Sequence, residues 1–578
     1  MKSNKFVAFT LMLFVLLISI SAISAADLND TDNTAENVLK EDNVKSSTFL
    51  DLWADVGISE SKLDLDTDYK FNKTTDVNYD KGININKYSF EINGNNHVID
   101  CDNQAKAFNF SGKGTFTIKN LIIKNGLCDS GSAIVSYSNL ILDNVTFINC
   151  NSNGTVDDIK VGAVFVKGYK ADIKNCNFID NIGEEGASIT SYGSDLNINK
   201  CTFISSSNKT IKGQIYIYNA IAKISNSNFL NTTSKYSTAI FAEEYSNVTI
   251  SKSKFKNLLA NRTAGAICFK KSNKLTISDC EFDNISSTNN GGAIFIDIPA
   301  DENDIKNALV TIKNTKFNNC YSGFGGAILQ LGGKLRITDT NFTYNTAEYD
   351  GGAIYTSYAN VGISTSLFRS NSLLDKVSYG GACYFDMGTV TIKNNVFRDN
   401  LGSTVSTLYA YDTTLSLQNN AFNNPSNVTS IYTVYGKIKS NTKNSYFNDV
   451  RSFNNKNNFY NFRNTAEPFK IVDNTTGEIG AEKYDLRDYG WVTPVKNQGF
   501  MGSCWEFGNF AALESALLRY TNKTYSLSVN NGVNIGLQYS EYGKKGTTEG
   551  ASEFVGWSYL VNWLGIFPDK YEEYDELS

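Results

Sequence analysis

A phenylalanine that recurs at nearly constant spacing is the strongest constraint on what this chain can fold into. It sits in matching phrases such as "LTISDCEFDNI" from Leu275, "VTIKNTKFNNC" from Val310 and "LRITDTNFTYN" from Leu335. Most steps between consecutive members are 25 to 27 residues. A fixed period of this length indicates a repeat architecture in which each unit stacks on its neighbours. The recurring residues are Phe147, Phe178, Phe203, Phe229, Phe255, Phe282, Phe317, Phe342, Phe368, Phe397 and Phe422.

Each unit also has the pattern of short β-strands. Residues seven, five and two positions before the Phe are mostly aliphatic or small, and those between them are polar. This alternation is typical of a strand with one buried face. Glycine-containing segments such as "GGAIFI" (291–296) then allow a tight turn before another strand. We therefore predict a mainly β chain in which residues 56–445 form a right-handed parallel β-helix, a solenoid of roughly thirteen coils and about 60 Å.

The repeat also predicts what lies inside the solenoid. The phenylalanines of successive coils should stack, which argues against an all-β sandwich and against a disordered Asn-rich tract. Three positions after the Phe, Asn181, Asn345, Asn371 and Asn400 should form a ladder of amides that bond between coils.

Nine of the ten cysteines follow the repeat. Cys176, Cys201 and Cys280 occupy the small inward position two before the Phe, and Cys150 and Cys320 occupy the Asn-ladder position. We interpret them as buried small hydrophobic residues. The alternatives, a disulfide framework or a metal site, need a clustering of Cys and His that the spacing does not show. No cofactor or metal is expected.

The chain begins with features of a secreted protein. Residues 1–26 combine an early basic part, a short apolar run and small residues, as in a cleaved secretory signal peptide. A retained membrane anchor is the alternative, but the apolar run is shorter than the roughly 20 residues that span a bilayer. Residues 27–55 read as a disordered acidic spacer. We predict a secreted or cell-surface location, with no membrane span after signal removal.

The charge balance narrows the range of partners. The net charge is −6 and no basic face is evident, so nucleic acid is not expected to bind. The partner expected along the solenoid is a surface glycan or protein.

The repeat region resembles the right-handed β-helix repeats of secreted adhesin-like proteins that are prominent in methanogenic archaea. Phrases such as "INKYSFEINGNNHVIDCDN" (85–103) carry this resemblance, which concerns the fold. In the sequence we find no convergent acidic cluster with a basic partner that would indicate polysaccharide cleavage.

After a linker at 446–483, the composition changes and a cysteine stands at a helix start. Cys504 precedes an apolar pattern of helical spacing that includes Phe507, Phe510 and Leu517. A thiolate in the first turn of a helix is stabilised by free N–H groups and by the positive end of the macrodipole. Glycines before it allow amide donors and Gln498 to converge on an oxyanion. An inert core cysteine is the alternative.

The segment "DLRDYGWVTPVKNQGFMGSCWEFG" (485–508) resembles the start of the mature domain of papain-like cysteine peptidases. The resemblance implies that residues 484–578 are the N-terminal part of such a domain. It implies Cys504 as the nucleophile and Gln498 in the oxyanion hole, with Gly502, Ser503 and Trp505 as supporting residues. Glu506 departs from the family pattern, because it replaces a small residue and adds a negative charge that opposes thiolate formation.

The second departure concerns the catalytic base. In the family, the His and Asn follow the Cys by about 130 to 150 residues, whereas residue 578 lies 74 positions after Cys504. The only histidine, His97, belongs to the first coil, where a turn or core role is expected. We therefore expect the catalytic domain to be incomplete and the chain as given to be inactive.

Two functions from different classes follow. The first is a secreted or surface cysteine peptidase carried on an adhesin-like β-helix stalk. The second is a surface adhesin, or ligand-binding β-helix, with a non-catalytic peptidase remnant.

Overall fold

The structure is a computed structural model that describes a defined part of the chain. Its contacts divide the chain into two units, Met1–Asn455 and Lys456–Ser578, which are treated separately below. The described residues are 46–128, 131–152, 161–205, 210–299, 308–375, 378–402, 407–424, 429–447, 453–455, 485–498, 503–533, 556–557 and 560. The predicted signal peptide lies outside them.

The first unit is a parallel β-solenoid of about 13 turns, so the predicted fold class is confirmed. The strand pairs are parallel, and each strand pairs with its counterpart in the next coil. Three faces run along the solenoid, here called face A, face B and face C. Two long strands, β7 (Thr115–Lys124) and β10 (Asn139–Ile148), turn from face A into face B. Two others, β39 (Cys383–Lys393) and β41 (Leu408–Gln418), turn from face C into face A.

Face A consists of β1 (Lys62–Asp64), β4 (Phe90–Asn93), β7 (Thr115–Lys124), β10 (Asn139–Ile148), β13 (Lys170–Lys174), β16 (Asp195–Asn199), β19 (Ile221–Ser225), β23 (Asn247–Ser251), β26 (Lys274–Ser278), β29 (Leu309–Lys313), β32 (Lys334–Thr338), β36 (Asn360–Ser364), β39 (Cys383–Lys393), β41 (Leu408–Gln418) and β44 (Lys437–Thr442).

Face B consists of β2 (Tyr69–Lys70), β5 (Val98–Asp100), β14 (Asn177–Ile179), β17 (Thr202–Ile204), β20 (Asn228–Leu230), β24 (Lys254–Ala260), β27 (Glu281–Ser287), β30 (Lys316–Ser322), β33 (Asn341–Thr343), β37 (Leu367–Arg369), β40 (Val396–Arg398), β42 (Ala421–Asn423) and β45 (Ser445–Phe447). Short strands β8 (Leu127–Cys128), β11 (Asn151–Ser152), β21 (Thr233–Ser234), β34 (Thr346–Ala347) and β38 (Ser372–Leu373) extend this side.

Face C consists of β3 (Ile83–Ile85), β6 (Phe108–Phe110), β9 (Ile134–Ser136), β12 (Val164–Lys167), β15 (Ile189–Tyr192), β18 (Ile215–Tyr218), β22 (Ile240–Glu243), β25 (Ile267–Lys270), β28 (Ile294–Asp297), β31 (Ile328–Leu331), β35 (Ile354–Ser357), β43 (Ile431–Val434) and β46 (Phe453–Asn455), together with the first parts of β39 and β41.

The recurring phenylalanines form one continuous stack inside the solenoid, as predicted. Consecutive rings are nearly parallel, with centroids from 4.5 Å (Phe255 and Phe282) to 5.0 Å (Phe147 and Phe178) apart. Every ring from Phe147 to Phe422 is buried. Each ring therefore removes apolar surface from water and contacts the rings of the coils above and below.

The predicted Asn ladder is confirmed for three consecutive coils. The Asn345 amide donates to Asn371 Oδ1 at 2.9 Å, and the Asn371 amide donates to Asn400 Oδ1 at 2.8 Å. Asn181 occupies the same position, and its Oδ1 accepts from the backbone N–H of Cys150 at 2.9 Å. The backbone N–H of Asn345 donates to Asn371 Oδ1 in the same way. Cys150 has no side-chain amide, so the amide-to-amide bond is absent between these two coils. These bonds satisfy buried polar groups that would otherwise be costly.

A second buried ladder was not predicted. Asn395 donates to Asn420 Oδ1 at 3.1 Å, and Asn420 donates to Asn444 Oδ1 at 2.9 Å. These residues stand two before the aromatic, where earlier coils carry small side chains. An amide fits there because the same position in the next coil supplies its acceptor.

The corner between faces A and B is one place where the repeat favours asparagine. Its residue has positive φ in coil after coil, for example Asn120 (50°), Asn144 (55°) and Asn175 (54°). Asn tolerates this left-handed conformation better than most non-glycine residues. The corner amides also bond between coils, since Asn144 Nδ2 donates to Asn120 Oδ1 at 2.9 Å.

The start of the described chain corrects the predicted spacer, which was extended to residue 55. Helix α1 (Phe49–Ile58) begins with a capping box between Thr48 and Asp51 and buries Phe49, Leu52 and Val56. The buried carboxylate of Asp76 accepts from the N–H groups of Phe49 (3.0 Å) and Leu50 (3.1 Å). The spacer prediction is wrong for residues 49–55, because this apolar face packs on the first coil.

The far end of the solenoid also differs from the predicted boundary at residue 445. Strand β46 ends at Asn455 and pairs with β43. A strand of the solenoid therefore lies inside the segment that the sequence assigned to a linker.

All ten cysteines are described, and all are free thiols. In the solenoid, each is buried except Cys128, which is half-buried. The five assigned to repeat positions are inward and buried, as predicted. Burial raises the pKa of Cys150 to about 12 and that of Cys280 to about 11, so these thiols stay protonated at neutral pH.

Replacing Phe317 by alanine should lower the free energy of unfolding of the solenoid by about 3 to 5 kcal/mol, because a buried ring is lost and a cavity remains. Phe317 lies 4.7 Å from Phe282 and 4.9 Å from Phe342. Urea denaturation followed by circular dichroism measures the loss. Tyr358→Ala is the control. Tyr358 is 64% exposed, so its replacement should change the free energy of unfolding by less than about 0.5 kcal/mol. Equal effects of the two substitutions would contradict the structural role of the stack.

Candidate active site

Cys504 is the first residue of the longest helix in the described part of the second unit. Helix α2 (Cys504–Thr521) follows Ser503, whose carbonyl accepts from the N–H groups of Glu506 (3.0 Å) and Phe507 (3.1 Å). Ser503 is buried, whereas the side chain of Cys504 is exposed. The thiol is therefore accessible to a substrate at the positive end of the helix, where backbone N–H groups favour a negative charge.

The helix is held by an apolar face that turns away from the thiol. Trp505 (7% exposed) and Phe510 (1% exposed) pack with Leu527, Val529 and Val533 in one buried cluster. At its other end, the helix stops at Asn522, which has a left-handed φ of 55° and donates its N–H to Leu518 O at 2.9 Å. This packing fixes the position of Cys504.

A buried carboxylate joins the helix to the loop that leads to Gln498. Glu514 Oε1 accepts from Lys496 Nζ at 2.9 Å and from the backbone N of Leu527 at 2.6 Å. The side chain of Glu514 is 3% exposed and that of Lys496 is 27% exposed. Lys496 Nζ also donates to Leu527 O at 2.9 Å. One ion pair therefore holds the helix, the 493–498 loop and the segment at 527 together.

The predicted oxyanion-hole residues are described only in part. Gln498 is half-buried at the end of the described loop 485–498, and Ser503 resumes the described chain directly before Cys504. Gly502 lies outside the described residues. The structure thus places Ser503, Cys504 and Trp505 at the helix start, and their catalytic roles stay predictions.

Glu506 lies in a different environment from the one expected. Its side chain is fully buried, and neither carboxyl oxygen makes a hydrogen bond of good geometry with the residues that the structure describes. Burial raises the pKa of Glu506 to about 7, and the neighbouring Asn509 amide only partly opposes this. A substantial protonated fraction near neutral pH weakens the negative charge that the sequence predicted beside the nucleophile.

Two glycines make room for this carboxyl. A Cβ at Gly532 would lie 2.1 Å from Glu506 Oε1, and a Cβ at Gly556 would lie 2.1 Å from Oε2. Both distances are far below van der Waals contact. Gly532 and Gly556, like Lys496 and Glu514, are site-supporting residues that the sequence analysis missed, because no local pattern links positions so far apart.

The only histidine is already engaged within the solenoid. His97 Nδ1 lies 2.9 Å from Asp68 Oδ1, and the ring is 31% exposed. This fits the turn role predicted for it. Within the described ranges, no three His, Cys, Asp or Glu side chains are grouped closely enough to hold a metal ion. Across the same residues, no helix has the length and apolar character needed to cross a membrane.

Comparison with known proteins gives similarities for parts of both units. The family model described as papain family cysteine protease matches residues 480–577. The model of the Chlamydia polymorphic membrane protein repeat matches residues 279–297 and 339–357. The solenoid is also similar to a solved structure titled "a new PL6 alginate lyase complex with trisaccharide", at 11% identity and a TM-score of 0.32, over 68% of this chain and 86% of that one.

Curated relatives match a limited part of this chain. A cathepsin L-like peptidase from Aedes aegypti is 34% identical over 111 residues, which is 19% of this chain and 31% of the relative. Cysteine proteinase 2 from Zea mays is 45% identical over 65 residues, covering 11% and 18% of the two chains. The chain spans less than a third of the length of these relatives. It therefore carries a papain-like domain near its C-terminus, after the parallel β-solenoid.

Glu506 should make the stability of the second unit fall as pH rises. Its pKa is raised from 4.5 to about 7 in the folded state, so the folded chain keeps a proton that the unfolded chain releases above pH 4.5. The stabilisation is complete below pH 4.5 and is lost as pH passes through 7, by about 3 kcal/mol in total. Tryptophan fluorescence during urea unfolding at pH 5 and pH 8 measures this, since four of the five tryptophans follow residue 484. In Glu506→Gln, the free energy of unfolding should differ less between pH 5 and pH 8. If this variant shows the same difference as the unmodified chain, Glu506 is not the group responsible.

Removing the carboxylate of Glu514 should destabilise the same unit by about 3 to 5 kcal/mol, because the ammonium of Lys496 loses its carboxylate partner in a largely buried position. Glu514→Gln keeps a carbonyl oxygen that can accept a hydrogen bond, so it should lower the free energy of unfolding less than Glu514→Ala does. Urea unfolding of both variants gives the comparison. Glu281→Ala is the control, because Glu281 is exposed on face B. A Glu514→Ala variant as stable as this control would rule out the ion pair as the link between loop and helix.

Proposed function

We propose that the C-terminal domain cleaves peptide bonds with Cys504 as its nucleophile. The thiolate attacks the carbonyl carbon, and the backbone N–H of Cys504 and the side chain of Gln498 stabilise the oxyanion. The observation that carries the proposal is an exposed thiol on the first residue of a helix, within the segment that matches the papain family model. The Lys496–Glu514 pair supports this role by holding the Gln498 loop against the helix.

Turnover by this route needs an imidazole that takes the thiol proton and passes it to the leaving amine. Residues 1–578 contain one histidine, His97, and its ring is bound to Asp68 in the solenoid. We propose that the base and its Asn partner come from residues outside residues 1–578. Residues 1–578 alone are then not expected to turn over peptides.

The solenoid is proposed to act as a stalk or adhesive module at a cell surface. The match of two segments to repeats of a Chlamydia polymorphic membrane protein supports a surface role. The signal-like residues 1–26 support export. We place the solenoid with the adhesin-like β-helix proteins of methanogenic archaea because of its repeat phrases, and a protein substrate follows from the papain-like domain.

A second candidate function is a surface adhesin whose peptidase part is not catalytic. The observation that favours it is the engagement of the single histidine in the first coil. In that case Cys504 is an accessible thiol without a base. The coding sequence after residue 578 separates the two functions, since the peptidase needs a downstream His and Asn.

Hydrolysis should depend on Cys504 alone among the thiols. A polypeptide that includes the coding sequence after residue 578 should hydrolyse a denatured protein, and Cys504→Ser should lower the rate at least ~1,000-fold because the attacking thiolate is lost. Alkylation with iodoacetamide should abolish the activity in parallel. Cys383→Ser is the control, since that thiol is buried in the solenoid. Activity that survives Cys504→Ser would refute the nucleophile, and a reading frame without a downstream His would favour the adhesin.

A further inference from the structure

Face C of the solenoid carries a cluster of acidic, basic and tyrosine side chains that three successive coils bring together. Glu185 lies in the turn before β15, Lys212 lies in the turn before β18, and Glu243 ends β22. Lys212 Nζ is 2.9 Å from Glu185 Oε1 and 3.0 Å from Glu243 Oε1. These residues are 27 and 31 positions apart, so only the register of the coils makes them neighbours. The linear sequence does not show the cluster for this reason.

Aromatic rings surround these charges. Tyr192 OH is 2.6 Å from Glu185 Oε2, and Tyr216 OH donates to Glu243 Oε1. Lys212 Nζ also lies 4.6 Å from the centre of the Tyr216 ring. We call the six residues Glu185, Tyr192, Lys212, Tyr216, Tyr218 and Glu243 the lateral site.

The aromatic surface of the lateral site extends along the solenoid axis. The half-buried rings of Tyr192 and Tyr218 stack at 5.0 Å. Phe165 follows at 5.9 Å from Tyr192, and Tyr137 follows at 6.1 Å from Phe165. Tyr137 is 48% exposed. Consecutive coils therefore place a row of rings on the same face as the charges. Tyr137, Tyr192 and Tyr218 are at least partly exposed in this row, and Phe165 is buried beneath it.

The repeat itself does not require this arrangement. Ser237 pairs with Lys212 in the next coil and carries no charge. Tyr218 and Glu243 pair with each other in register, so one strand position holds an aromatic in one coil and an acid in the next. Among the described residues of the following coils, face C carries the simple pair Lys270 and Asp297, at 3.5 Å, in place of a triad. The lateral site is thus a local addition to the solenoid.

The chemistry of the site selects a class of ligand. The side chains of Glu185, Lys212 and Glu243 are 22%, 24% and 20% exposed, so a molecule on face C can reach them. A carboxylate has about four acceptor positions, and within the described residues Glu243 Oε2 accepts no hydrogen bond. Two carboxylates and one ammonium leave a net charge of −1. The site therefore suits a ligand rich in hydroxyl donors, with apolar faces for the rings and without negative charge.

We propose that the lateral site binds a neutral oligosaccharide chain that lies along the solenoid axis. The pyranose C–H faces pack on Tyr192 and Tyr218, and the sugar hydroxyls donate to Glu185 and Glu243. Acidic glycans are disfavoured because their carboxylates approach a net negative site. The inference rests on the proposed adhesive role of the solenoid and does not involve Cys504.

Binding of defined oligosaccharides to the full chain tests the proposal. Cellohexaose, mannohexaose and chitohexaose are the neutral probes, hexagalacturonate is the acidic probe, and isothermal titration calorimetry measures affinity. At least one neutral probe should bind at least ~10-fold more tightly than hexagalacturonate. Glu243→Gln and Tyr218→Ala should each weaken that binding at least ~10-fold. Tyr358→Ala, which alters an exposed tyrosine outside the lateral site, should leave it unchanged.

Three results would overturn the proposal: no neutral probe binds, hexagalacturonate binds best, or Glu243→Gln binds like the unmodified chain. Thermal unfolding shows whether the Tyr218→Ala variant is folded. If it is not, the affinity of Glu243→Gln, which preserves the shape of the side chain, tests the proposal. The same titration with Cys504→Ser should give the same affinity. If no oligosaccharide binds at the lateral site, the peptidase proposal is unaffected. If Cys504 does not support peptide hydrolysis, the proposal of oligosaccharide binding is unaffected.

Discussion

The register between successive coils is the constraint on which the rest of the solenoid depends. Parallel pairing places Phe282 beside Phe317, and Phe317 beside Phe342, with no shift. A shift of one residue would turn every inward side chain outward. Because ring stacks and amide ladders form only between identical positions, each coil is stabilised by its neighbours more than by itself. The same register brings Glu185, Lys212 and Glu243 together on the outside.

The sequence predicted those parts of the fold that repeat. The Phe period gave the solenoid and its inner stack, and the +3 asparagines gave the ladder, because both depend on spacing alone. The helix Phe49–Ile58 was missed because it occurs once, and its apolar face is short and follows an acidic segment. The ladder at Asn395, Asn420 and Asn444 was missed because that position holds small residues in earlier coils.

The candidate active site was predictable only where it matches a known motif. Cys504 and its helix followed from the phrase around them. The burial of Glu506 did not, because it depends on Gly532 and Gly556, which a local reading cannot connect to it. The Lys496–Glu514 ion pair was not predicted for the same reason, because 18 positions separate the two residues in the sequence. Contacts between distant segments thus decide the electrostatics of the site, whereas the local sequence decides its chemistry.

Hydrogen exchange of the backbone amides in the Asn345–Asn371–Asn400 ladder tests the central role of coil register most directly. The backbone N–H groups of Asn345 and Asn371 donate to the side-chain oxygens of Asn371 and Asn400, both at 3.1 Å. These amides should therefore be as protected as those within the strands, and Asn400→Ala should release the amide of Asn371 first. Exchange of both amides at the rate of an unfolded peptide in the unmodified chain would contradict the account.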